Sequence, residues 1–142
     1  MSSPYESATL LIRLYELRRD ATMREARGWF ARSFNPESVD DMMQALNGPS
    51  SAHFRMVTSY WDMAASFVLH GAIDEQMFTD ANGEHLVVFA KIEPFIEEYR
   101  ARTGNPRYLS SLETVALKAP DAKARLAKLR ERFRALAAAP AR

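Results

Sequence analysis

Cysteine is absent from the 142 residues, which excludes disulfides, thiolate nucleophiles and thiolate metal sites. Glycine is scarce, with five residues, and the closely spaced turn signals of an all-β chain do not occur. No stretch approaches the eighteen or more uninterrupted apolar residues of a membrane span; the best, Met63 to Leu69, is far too short. The segment Met1-Ser2-Ser3-Pro4-Tyr5-Glu6 has neither the basic start nor the apolar centre of a signal peptide. These absences lead to the expectation of a soluble protein in a reducing cytoplasm.

Motifs that carry chemistry are also missing. The chain has no Glu-x-x-His and no His-Glu-x-x-His, the spacings that place metal ligands on one helix face. His53 and His70 lie about 260° apart on an ideal helix and do not converge, so neither a metal nor a cofactor is expected. Gly-x-Gly, Gly-Lys-Ser/Thr and Gly-x-Ser-x-Gly do not occur, which removes the common phosphate loops and the hydrolase elbow.

What is present is helical. Ala, Leu, Arg, Glu and Met dominate, and these residues favour helix. Ser3, Pro4 and Glu6 form a capping-box start, with Leu10, Leu11, Leu14 and Leu17 lining one face. A second capping pattern begins at Thr22 and runs on through Met23, Ala26, Trp29, Phe30 and Phe34, so residues 5–32 are read as one long helix or as two joined near Asp20. Asn35-Pro36 opens another helix, which Asn47-Gly48-Pro49 ends through a left-handed glycine cap.

The helix at about 51–70 is apolar around most of its circumference, from Phe54 through Tyr60 and Trp61 to Leu69. A helix of that kind is central and buried on several sides. Asp74 caps a short helix, and Asn82-Gly83 makes a turn. A helix from about Glu84 to Arg102 follows, kinked at Pro94 and stopped at Gly104. Tyr108 to Ala116 forms one more. The expected fold is all-α: an irregular bundle of about six to seven helices around helix 51–70, in a single domain over residues 1–142.

Charge is unevenly spread. Residues 118–142 hold eight basic and two acidic side chains, a balance of +6, whereas residues 1–117 hold eleven and sixteen, a balance of −5. The basic amphipathic helix at about 120–138 carries a narrow seam of Leu126, Leu129, Phe133 and Leu136. Such a seam suits docking on the body or on a second subunit. Phosphate-backbone contact is the competing reading, and the net charge of +1 speaks against a dedicated nucleic-acid binder. The residues from Ala137 to Arg142 are of low complexity.

One constellation falls on a single helix edge: Asp62, Ser66, His70 and Asp74, spaced by four. An Asp-oriented histidine would act as a general base, but a His in a last helical turn and an Asp cap explain the same residues structurally. Tyr60, Asp62, His70 and Arg100 are the polar candidates for a ligand site among the aromatic helices, with Arg100 free to pair with Asp62 or Glu113. No catalytic residue is assigned.

The segments Tyr60-Trp61-Asp62-Met63-Ala64-Ala65 and Gly71-Ala72-Ile73-Asp74, then Ile92-Glu93-Pro94-Phe95-Ile96 with Arg100, and Gly104-Asn105-Pro106-Arg107-Tyr108, resemble a family of bacterial all-helical proteins of unknown function over about residues 5–117. Some of its members start with a membrane anchor. The resemblance implies helical architecture and no assigned activity. The function expected is that of a non-enzymatic interaction or scaffold module forming a homodimer, an expectation encouraged by aromatic surface at Trp29, Phe30 and Phe34. The alternatives are a small-ligand binder or enzyme with its site near Trp61 and His70, and nucleic-acid contact through the last helix.

Overall fold

In the computed structural model, residues 2–139 are described. The α-helices are α1 (Pro4–Arg18), α2 (Ala21–Arg32), α3 (Val39–Asn47), α4 (Ser51–Leu69), α5 (Glu75–Ala81), α6 (Glu84–Ile92), α7 (Ile96–Thr103), α8 (Ser110–Ala116) and α9 (Ala122–Ala138). A 3₁₀ turn, Glu93–Phe95, separates α6 from α7, and no strand occurs among the described residues. The division is finer than six or seven helices for two reasons. Residues 5–32 form two helices, and Pro94, which has no N–H to continue the ladder, turns the expected kink into a 3₁₀ break. Residues 140–142 of the low-complexity tail lie outside the described residues.

The starts of α1, α2, α3 and α5 obey capping chemistry, with two shifts from the expected positions. Ser3 and Glu6 make the reciprocal capping box of α1, and Asp74 accepts from the Met77 N–H at the start of α5. The cap of α2 is Asp20, whose carboxylate accepts from Thr22 and Met23 N–H at 3.1 and 3.2 Å; Thr22 is already inside the helix. The cap of α3 is Ser38 and not Asn35, because Asn35-Pro36 lies in the connection from α2. Gly48 ends α3 with φ −94°, not in the left-handed region. Its reason is proximity: a Cβ there would sit 2.6 Å from the Gln44 carbonyl oxygen. Gly71 and Gly104, at φ +78° and +70°, do adopt the left-handed stop that favours glycine.

The core is organised by α4, which packs against α2, α3, α5, α6 and α8. Phe54, Val57, Tyr60, Trp61, Ala64, Ala65 and Val68 are all buried. Removing a side chain as large as Phe54 or Trp61 from water contributes about 2–3 kcal/mol. Phe30, Phe34, Phe54 and Tyr99 touch in sequence, with centroids 4.9 to 6.4 Å apart. Phe30 and Phe34 are therefore core residues, and Trp29 packs against that core. Of the aromatic surface expected at these three positions, only part of the Trp29 ring remains.

The basic helix α9 lies on α6 and α2. Leu126 is buried and Leu129 packs on the core, whereas Leu136 is exposed. Arg130 donates to the Ala90 carbonyl oxygen and to Glu93 at 2.8 and 3.1 Å. The basic helix thus docks on the acidic body at one point of direct charge pairing.

Candidate functional site

The four polar candidates take separate places. Tyr60 donates its hydroxyl to the Leu14 carbonyl oxygen at 2.6 Å. Burial pushes its pKa up to about 12, with Arg18 and Arg27 pulling the other way. Asp62 accepts from the Leu112 N–H at 3.0 Å. That bond supplies α8 with the cap that the residue before it cannot, because Leu109, held in the left-handed region at φ 54°, has no side-chain acceptor. His70 is exposed at the end of α4, with Nδ1 2.8 Å from the Ser66 carbonyl oxygen. Arg100 is buried and pairs with Glu113 and not Asp62; its Nη2 lies 3.0 Å from Glu113 and 2.7 Å from the Tyr108 carbonyl oxygen. Nη1 donates to Glu97 at 2.8 Å. Three of the four thus fasten backbone segments together, and none lines the clefts described next.

A different cluster forms around Trp61. Its indole N–H donates to Glu84 at 2.9 Å. The same carboxylate accepts from Arg27 through Nε and Nη2, both at 2.9 Å at their shortest, a bidentate pair of the strong kind. Arg27 also donates Nη1 to the Arg18 carbonyl oxygen at 3.3 Å, so it ties α2 and α6 to the end of α1. The Arg18 guanidinium lies 5.4 Å from the Trp61 ring and 5.5 Å from the Tyr15 ring, within cation–π range of both. Tyr15, Arg18, Arg19, Arg24 and Arg27 line a cleft of about 440 Å³ at the α1–α2 corner. Sequence reasoning weighed the basic residues of the last helix and passed over this group. Its signal was the Arg18-Arg19 pair followed by Arg24 and Arg27 one helical turn apart.

Two further titratable groups are buried. His85, in α6, packs on Phe78 and Trp61, and its Nδ1 has no hydrogen-bond partner. Burial, and secondarily the charge of Arg125, pulls its pKa down to about 4. It borders a cleft of about 470 Å³ shared with Glu75, Lys118 and Arg125. Lys91 donates to the Phe30, Ala31 and Phe34 carbonyl oxygens at 2.8, 3.1 and 2.8 Å. It thereby closes the end of α2 with three donors for three acceptors. Burial lowers its pKa to about 8.

Among the described residues no three His, Asp or Glu side chains approach closely enough to hold a metal ion, and no helix is long and apolar enough to cross a membrane. The chain matches a family described as a domain of unknown function (DUF4760) over residues 5–119. No curated protein and no solved structure matches it.

Proposed function

The chain belongs to this DUF4760 family, which carries no assigned activity, and from that premise we propose a non-enzymatic helical module that self-associates as a two-fold homodimer through the outer face of α1. The observation that carries the reading is the exposure of Tyr5, Ile12 and Tyr15, at 81%, 60% and 54%. With the half-buried Ala8 they recur at i, i+3, i+7 and i+10, the spacing of a helix-pairing seam.

The attachment of α1 to its own chain supports the same reading. Only Ser7 and Leu14 of α1 are buried. Beside the packing of Leu10, Leu11 and Leu14, the helix is held by polar bonds: Ser2 N–H to the Gly71 carbonyl oxygen at 3.0 Å, Asp74 N–H to Ser7 Oγ at 3.0 Å, and the Tyr60–Leu14 bond. An antiparallel pair centred near Leu10 places Tyr5 opposite Tyr15 of the partner subunit and Ala8 opposite Ile12 of the partner subunit. Large meets large at the ends, small meets large in the middle, and the helix dipoles oppose one another.

Fifteen residues give a seam of about 22 Å, at the small end of stable interfaces, so the dissociation constant is expected on the order of 10 μM. Sedimentation velocity from about 1 to 200 μM should show the monomer–dimer transition, and Ile12→Glu should abolish it with the helical circular dichroism unchanged. A wild-type chain that stays monomeric throughout that range overturns the reading.

A further inference from the structure

We propose that the arginine-lined cleft at the α1–α2 corner binds a small organic phosphate or diphosphate. The cleft shares Tyr15 with the seam on α1, but its arginines take no part in that seam and the site does not depend on self-association.

The charge balance of the cleft is the first argument. Of its four guanidinium groups only that of Arg27 has a carboxylate, Glu84. Arg18, Arg19 and Arg24 pair with no carboxylate among the described residues. The neighbouring acids are engaged elsewhere: Asp20 caps α2, and Glu16 faces Arg13 at 3.9 Å. Four guanidinium groups set against the carboxylates of Glu84 and Asp20 leave an excess of positive charge around one concavity, which focuses a positive potential into it. The occupant they suit is a multiply charged anion whose oxygens match planar N–H forks.

Geometry is the second. Arg18 is held in place before any ligand arrives, with its guanidinium against the faces of Trp61 and Tyr15. Its Nε is buried without a hydrogen-bond partner. Trp61 is in turn fixed by Glu84, which also fixes Arg27. The cleft's volume of about 440 Å³ falls within the roughly 300–1,000 Å³ of small-molecule sites. A phosphate-backbone interface would instead want an extended basic track, whereas these arginines gather around one concavity. In the monomer the half-exposed Tyr15 ring at the rim offers a face for the organic part of the ligand.

The test uses the full chain and isothermal titration calorimetry with two probes, inorganic pyrophosphate and ADP, at low salt. Saturable one-to-one binding is expected for both, with ADP the tighter through its ring. Arg24→Gln, an exposed position, should weaken both at least tenfold without changing the thermal midpoint. The double variant Lys123→Gln, Arg132→Gln, at exposed sites on α9, should change either affinity less than twofold. The proposal is overturned by the absence of saturable heat at millimolar probe. It is overturned equally by comparable losses in the α9 variant, or by a chain that binds anionic-lipid vesicles or a single-stranded oligonucleotide while ignoring both probes.

Discussion

Lowering the pH from 7 to 5 tests the burial of His85 through a quantity the structure fixes. The ring is enclosed by Phe78, at 4.9 Å between centroids, and by Trp61, at 6.0 Å, and Arg125 adds an unfavourable charge. The folded chain therefore holds this imidazole neutral down to about pH 4, whereas the ordinary value is 6.5. Above pH 6.5 the ring is neutral in both states and its titration costs nothing. Between 6.5 and 4 the unfolded chain binds a proton that the folded chain refuses, so stability falls with pH, by about 1.4 kcal/mol per unit at the steepest. At pH 5 the accumulated loss is about 2 kcal/mol. Other charged groups near the ring, Glu75, Lys118 and Arg125 at the cleft it borders, are retained in a comparison with His85→Phe. Phenylalanine keeps the aromatic contacts and cannot titrate, so it isolates the ring. Urea unfolding followed by tryptophan fluorescence at both pH values gives the double difference. The wild type should lose about 2 kcal/mol more than the variant on acidification. Equal losses in the two proteins would refute the argument.

Two other perturbations follow from groups that close helix ends. Lys91→Met strands three carbonyl oxygens at the end of α2 and is expected to cost about 2–4 kcal/mol in urea unfolding; a variant as stable as the wild type would show that the cost of burying the ammonium outweighs its three bonds. The same group gives a signed pH effect. Because its folded pKa is lowered to about 8 from 10.5, the wild type should gain stability relative to Lys91→Met as pH rises from 8 to 10. Asp62→Ala removes the distant cap of α8 and should cost about 1 kcal/mol, while Asp62→Asn, which keeps an acceptor, should cost less; equal losses would count against the capping role.

Helices and stops were legible where the signal is local. The capping box at Ser3, the Asp74 cap, the left-handed glycines and the break at Pro94 each follow from one or two side chains acting on adjacent backbone. Position errors arose where two capping residues competed within three positions, as Asp20 did with Thr22 and Ser38 with Asn35. The candidate site was less legible because its members come from four helices. Nothing in the spacing of Trp61, Glu84 and Arg27 announces that one carboxylate binds both an indole and a guanidinium. Asp62 and Ser66 lie on α4 and His70 at its end, but Asp74 falls beyond the left-handed stop at Gly71, so the expected edge is broken there; Asp62 and Asp74 are spent on capping α8 and α5. A histidine's burial depends on its neighbours, so His85, which had drawn no attention, is the ring whose protonation is perturbed.

The first helix shows most clearly why inside and outside could not be separated. Tyr5, Ala8, Leu10, Leu11, Ile12, Leu14, Tyr15 and Leu17 place apolar groups around about two-thirds of α1, with Glu6, Thr9, Arg13 and Glu16 on the remaining third, so the leucines could be chosen as its inner face only by their spacing. Leu14 is indeed buried and Leu10 and Leu11 pack on the core, but Leu17 is exposed together with Tyr5, Ile12 and Tyr15. A helix with so wide an apolar arc is ordinarily covered along that arc, as α4 is. By contrast α1 meets only α2 and α5 closely, and its remaining apolar face is turned to water. Burying those side chains is worth about 25 cal/mol for each Å² removed from water, and no element among the described residues covers them. A second copy brings an identical, self-complementary stripe to the same place. For that reason the proposed dimer rests on α1 and no longer on Trp29, Phe30 and Phe34, whose rings the core already uses.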